Sequence, residues 1–205
     1  MVKFAVIFGA TRLPKAGIFS GLNHLINDSV DGSGFSEYFG FTESEVDWLI
    51  SKLIKLKPQL SEETVKKSVK KLYDGYRVES KTIYNPWSIM NCLRALNENM
   101  DNPYRYYWSD SESIKIIEDA IIQIPSIEMI EWLIMLGQVE FYYDNAFTFS
   151  SIKTNVRDLL SLLLNAGYIT KLKESIYKTP NQEVNFYIFK NSFLSGLKSI
   201  NLNQT

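Results

Sequence analysis

Cysteine and histidine occur once each, as Cys92 and His24, in a chain of 205 residues. A lone cysteine closes no internal disulfide, so the fold does not depend on an oxidising compartment, and structural zinc of the multi-cysteine or Cys/His kind is excluded. Any Ser-His-Asp or Cys-His scheme has to run through His24. An excess of one charge is also missing: 22 Lys+Arg stand against 23 Asp+Glu, for a net charge of -1. No global field therefore draws the chain to nucleic acid or to an acidic membrane. No apolar run reaches the roughly 18 residues of a membrane span. Thr11, Arg12 and Lys15 follow the short apolar start too soon for a cleaved secretory signal. The phosphate-binding loop G-x-x-x-x-G-K-[ST] is absent, since neither Gly9 nor Gly17 leads into Lys-Ser or Lys-Thr. Nucleotide hydrolysis by this chain alone is not expected, and neither is a bound cofactor.

The sequence does contain helical periodicity. Thr42 followed by Glu45 is a capping box, and Val46, Leu49, Ile50, Leu53 and Ile54 predict a helix over about Glu43 to Leu56, stopped by Pro58. Ser61 opens a second helix, with Glu62 and Glu63 in its first turn and four lysines near its end, the order that suits the helix dipole. Residues 76 to 84 read as irregular. Asn85 caps a third helix with Pro86 at its first position, carrying Trp87, Met90, Leu93, Leu96 and Met100 at spacings of three and four. Further helices are expected at Ser111 to Ile124, Ile127 to Leu136 and Ser151 to Asn165. The period then changes: Tyr168 to Lys173 and Val184 to Phe189 have strand character, with the turn at Pro180-Asn181. Phe4 to Phe8 predicts one short buried strand near the amino end, and Asn191 to Ile200 a closing helix. The expected fold class is mainly α, with a winged-helix-like β-hairpin in the carboxy-terminal region.

Most polar clusters have an ordinary structural explanation. His24 lies on an apolar helical stripe, where a hydrogen-bonded structural role is the default, and Cys92 beside Leu93 reads as a small core residue. Glu43, Glu45 and Asp47 favour a helix dipole without needing a metal, and Glu128 and Glu131 lack a histidine to complete a site. Two surfaces stand out. Lys66, Lys67, Lys70 and Lys71 make a basic stripe suited to an anionic partner, and their KKxxKK pattern also reads as a weak nuclear-import signal. Tyr104, Tyr106, Tyr107 and Trp108 crowd amphipathic rings into one short segment, where they either knit helices together or anchor a partner. If the carboxy-terminal region is a winged helix, Lys153, Arg157, Lys171 and Lys173 would be its approach to a nucleic-acid backbone.

A longer series of segments occurs in one direction: Phe4-Ala5-Val6-Ile7-Phe8-Gly9, Arg12, Lys15, Ile18 to Asn23, Tyr38 to Val46, Leu72-Tyr73-Asp74-Gly75-Tyr76, Tyr84-Asn85-Pro86-Trp87-Ser88, Leu163 to Ile169 and Pro180 to Val184. This series resembles the AAA-ATPase-like family whose longer members often carry a PD-(D/E)XK nuclease-like domain at the carboxyl end. The resemblance begins at what would be the last core strand, and it implies a helical lid without the nucleotide-binding half. It suggests a residual core strand and helix over 1–30, a helical lid-like region over 36–137 and a winged-helix-like region over 138–205. The function expected on this basis is a non-catalytic, non-enzymatic module that binds another macromolecule, foremost a protein. The alternatives are a nucleic-acid-binding module and one half of a split AAA-like ATPase. The chain is expected in the cytoplasm as synthesised. The occurrence of the family in host-associated bacteria makes a virulence effector, delivered into a host cell to act on a host protein, part of the same expectation.

Overall fold

A computed structural model describes residues 36–78, 81–108, 135–144, 147–148 and 150–186. The strand at Phe4 to Phe8, His24, the helices at 111–124 and 127–134, Glu128, Glu131 and the closing helix at 191–200 lie outside these residues. Described secondary structure is mainly helical, with two small antiparallel sheets.

Helix α1 (Glu43–Leu56) starts where the sequence places it. The Thr42 hydroxyl accepts the Glu45 N–H while the Glu45 carboxylate accepts the Thr42 N–H at 2.8 Å, and this closed box holds the Glu45 carboxyl below its ordinary range. Helix α2 (Glu62–Tyr73), capped by Ser61, returns antiparallel along it. The pairs Glu43–Lys70 and Asp47–Lys66 run down the seam between the two helices. Strands β1 (Asp74–Val78) and β2 (Lys81–Tyr84) form a hairpin, and α3 (Pro86–Asn97) follows with Asn85 as its cap. Val46, Ile50, Val69, Tyr73, Ile89 and Cys92 form the centre of the first core. Each large apolar side chain buried there contributes about 1.5–3 kcal/mol.

The second core lies around α4 (Val156–Asn165) and a three-stranded sheet. Strands β3 (Gln138–Glu140), β4 (Thr170–Lys171) and β5 (Ile176–Lys178) are ordered β3-β5-β4, all antiparallel. A helix followed by a hairpin whose second strand, β5, also pairs with the earlier strand β3 is a winged-helix-like arrangement. Gly167 makes the turn between helix and hairpin. At φ +77° it lets the Tyr168 N–H reach the Leu163 carbonyl at 2.8 Å and its own N–H reach Leu164 at 3.1 Å, a Schellman closure.

The two cores abut along β1. The Arg77 N–H donates to the Thr170 hydroxyl at 2.8 Å, so a side chain of β4 takes the place of a ladder bond between the sheets. Asn181 caps the short helix α5 (Gln182–Val184) through its Oδ1, while its Nδ2 donates to the Tyr73 carbonyl at the end of α2. Gly75 is the irregular residue of the β1–β2 ladder, and it lies directly against the Pro180 carbonyl.

Three sequence expectations need correction. Residues 76–84 are not irregular: Tyr76, Arg77 and Val78 pair with Ile83, Thr82 and Lys81. The ladder forms around a bulge at Gly75, and strands of five and four residues are too short to show a period in the sequence. The carboxy-terminal hairpin does not turn at Pro180-Asn181; its strands are β4 and β5, and Asn181 nucleates a helical turn through Val184 instead. The helix expected from Ser151 is a 3-10 turn over Ser151–Lys153, interrupted before Asn155 recaps the chain into α4.

Candidate functional site

The aromatic segment identified in the sequence runs back along α3. Asn99 and Asn102, at φ 52° and 53°, reverse the chain after the helix, which asparagine tolerates better than most residues. The segment is then pinned residue by residue. The Tyr73 hydroxyl donates to the Arg105 carbonyl at 2.7 Å, the Tyr107 hydroxyl donates to the Pro103 carbonyl at 2.7 Å, and the Trp87 indole N–H donates to the Tyr107 carbonyl at 3.2 Å. Tyr104 and Tyr107 pack on the first core. Trp108 turns into the second, edge-on to Tyr76 at 6.4 Å and tilted against Tyr168 at 5.0 Å. Tyr106 stacks on Phe186 at 5.4 Å.

Glu183 holds this arrangement from beneath. It is 1% exposed. Its Oε1 accepts the consecutive Tyr107 and Trp108 N–H groups at 2.6 and 3.2 Å, and its Oε2 accepts the Ser88 hydroxyl at 2.7 Å. Burial raises the carboxyl above its ordinary value, and the three donors offset part of that rise. A single side chain thus ties the start of α3, the aromatic segment and α5 together. The sequence offers one signal for it, the Asn181 cap two residues earlier, but an acid in a first helical turn is normally read as a solvated dipole partner.

The neighbouring hydroxyls serve structure. Burial pushes Tyr73, Tyr76 and Tyr84 well above the usual phenol range, and pushes the Cys92 thiol up to about 12, so Cys92 is not a poised nucleophile. The Tyr76 hydroxyl is buried with the Asn85 and Asn181 side chains as polar neighbours, neither in hydrogen-bond geometry. Among the described residues no group of three or more His, Cys, Asp or Glu is placed to hold a metal ion, and no helix is long and apolar enough to cross a membrane.

The basic stripe divides in two. Lys66 meets Glu62 at 3.0 Å and Asp47 at 3.4 Å, and Lys70 meets Glu43, so half of the stripe is spent on the α1–α2 seam. Lys67 and Lys71 face outward. In α4, residues 158–163 are all buried and Arg157 is exposed at its first turn. The middle of α4, where a groove-reading face would lie, is therefore covered.

Residue Trp87 differs most from its sequence reading. The predicted apolar stripe of α3 included Trp87, Met90 and Met100, yet Ser88, Ile89, Cys92, Leu93, Ala95 and Leu96 are the buried set. Trp87 is 62% exposed and Met90 49%. The stripe is rotated by one position because Ser88 and Ile89 face Glu183 and the core. An exposed ring fixed by its own N–H is therefore the most prominent apolar feature beside the aromatic segment. Trp108→Ala is accordingly expected to destabilise the fold by about 3 kcal/mol in chemical denaturation, while Trp87→Ala costs less than about 1 kcal/mol. Equal losses would contradict this assignment of inward and outward rings.

Comparison with known proteins adds one relative. No family model matches the chain, and no solved structure matches it. It is similar to a protein of Azotobacter chroococcum mcd 1 described as "Uncharacterized protein in vnfD 5'region", with 26% identity over 173 residues. The aligned part covers 82% of this chain and 28% of that protein, so the chain spans less than a third of the relative's length.

Proposed function

We propose that this chain is a non-catalytic helical module of AAA-ATPase-like descent that works by binding another protein through the Trp87 face of α3. The observation that carries the proposal is the state of that ring: 62% exposed, yet held in one orientation by its hydrogen bond to the Tyr107 carbonyl. Rigid, exposed aromatic side chains lose little conformational entropy on binding and are frequent anchors of protein interfaces. Met90 extends the apolar surface along the helix, and the Tyr106–Phe186 stack lies on the same aromatic segment, with Phe186 49% exposed. The nucleic-acid alternative draws less support, because Lys66 and Lys70 are paired and the middle of α4 is buried.

A photo-crosslinking residue at Met90 in the full chain identifies the partner, which is then purified and titrated. Saturable binding is expected, weakened at least about tenfold by Trp87→Ala and unchanged by ATP with magnesium. A partner indifferent to Trp87, or one that binds only with the nucleotide, would overturn the reading.

A further inference from the structure

Charge and apolar surface combine on the Trp87 face. Trp87, Met90 and Arg94 occupy one side of α3 at spacings of three and four, and the Arg94 side chain is 66% exposed. No acidic residue occurs within α3. Glu98, one turn beyond, meets Arg94 at 3.9 Å in the open, and such an exposed contact contributes little. The Arg105 guanidinium lies 5.4 Å over the ring of Tyr107, whose carbonyl holds the Trp87 indole. Burial raises the Tyr107 hydroxyl above its ordinary value, and Arg105 beside the ring offsets part of that rise. Glu183, beneath the same segment, is buried and its oxygens are already committed to Ser88, Tyr107 and Trp108. Among the described residues the surface around Trp87 therefore presents rings and the guanidinium groups of Arg94 and Arg105, with the exposed Glu98 as the acid that meets Arg94.

The other exposed tryptophan on a described helix is arranged differently. Trp48 is covered by the Lys52 ammonium at 5.0 Å, so its ring already has a cationic partner.

We propose that the Trp87 face receives an acidic amphipathic helix of the partner protein, with an apolar side chain against Trp87 and Met90 and a carboxylate at Arg94 and Arg105. The inference rests on the protein-binding reading and specifies the chemistry of the partner. Trp87 and Arg94 are seven residues apart, about 10 Å along the helix axis, so an apolar residue and an acid two turns apart on the incoming helix match both. Arginine suits this role because its planar fork meets a carboxylate with two parallel hydrogen bonds.

The test uses three fluorescein-labelled synthetic helices of about 16 residues with the same leucine face, flanked by Glu, Gln or Lys, titrated into the full chain. At about 50 mM salt the Glu peptide is expected to bind at least about tenfold tighter than the Gln peptide, and to lose most of that preference at about 300 mM. The double variant Arg94→Glu/Arg105→Glu should reverse the preference toward the Lys peptide, and Trp87→Ala should weaken all three. Absent binding of the Glu peptide, equal binding of the three, or a preference unmoved by the double reversal overturns the inference. Trp87-dependent capture of a partner under any of those results leaves the protein-binding reading standing. Loss of the Trp87 dependence removes both.

Discussion

Gly75→Ala is expected to destabilise the protein by about 3–5 kcal/mol, a large share of the roughly 5–15 kcal/mol that holds a typical domain together. Gly75 sits at φ +133°, where a side chain is strained, and an added Cβ would fall 1.8 Å from the Pro180 carbonyl oxygen. That oxygen belongs to backbone and cannot swing aside. Relief requires β1 and the segment before α5 to move apart, which loosens the Asn181 contact with Tyr73 and the Arg77 contact with Thr170. Urea unfolding monitored by circular dichroism measures the loss. A change below about 1 kcal/mol would show that the two cores do not meet this closely.

Glu183→Ala is expected to cost a similar amount, about 3–5 kcal/mol, because it leaves the Ser88 hydroxyl and the Tyr107 and Trp108 N–H groups without their acceptor in a buried place. Glu183→Gln should be far milder. Its amide oxygen can accept both backbone N–H groups, and its NH2 can donate to the Ser88 oxygen, which as a hydroxyl both donates and accepts. The pair also gives a pH signature. The folded-state pKa of Glu183 is raised above the ordinary 4.5, so between that value and the raised one the folded chain holds more proton than the unfolded chain. Stability from this group is full below the ordinary value and falls as pH rises through the folded one. Relative to Glu183→Gln, the wild type should therefore lose stability with rising pH from about 4.5 upward and then level off. A gap between the two that stays flat with pH, or widens in the opposite direction, would contradict the desolvated carboxyl described for this site.

Much of the first helical region was legible because local signals there act within a few residues. Thr42 with Glu45, Ser61, and Asn85 with Pro86 each satisfy backbone groups of their own helix, so sequence alone places those starts. The β1–β2 hairpin was hidden for the opposite reason. Its strands are short, its bulge is at Gly75, and the contact that requires glycine comes from Pro180, far along the chain. The same holds for Glu183, whose three donors come from α3 and the 107–108 segment.

The aromatic segment was found as a cluster, but its division of labour was not. Helical spacing alone assigns Trp87 and Met90 to the same stripe as Leu93 and Leu96, and only the Ser88–Glu183 contact explains why the buried face is rotated toward Ser88 and Ile89. Trp108, by contrast, could be taken for a surface anchor until its ring is placed between Tyr76 and Tyr168. The basic stripe was likewise visible as charge but not as pairing, since Lys66 and Lys70 find their acids on α1.

Amide hydrogen exchange of the full chain, with and without the cross-linked partner in purified form, tests the central claim most directly. Protection is expected along Trp87 to Arg94 and over residues 104–108, with Lys66 to Lys71 and the β4–β5 hairpin unchanged. Protection confined to the lysine stripe or the hairpin, or none at saturating partner, would contradict a protein-binding surface centred on Trp87.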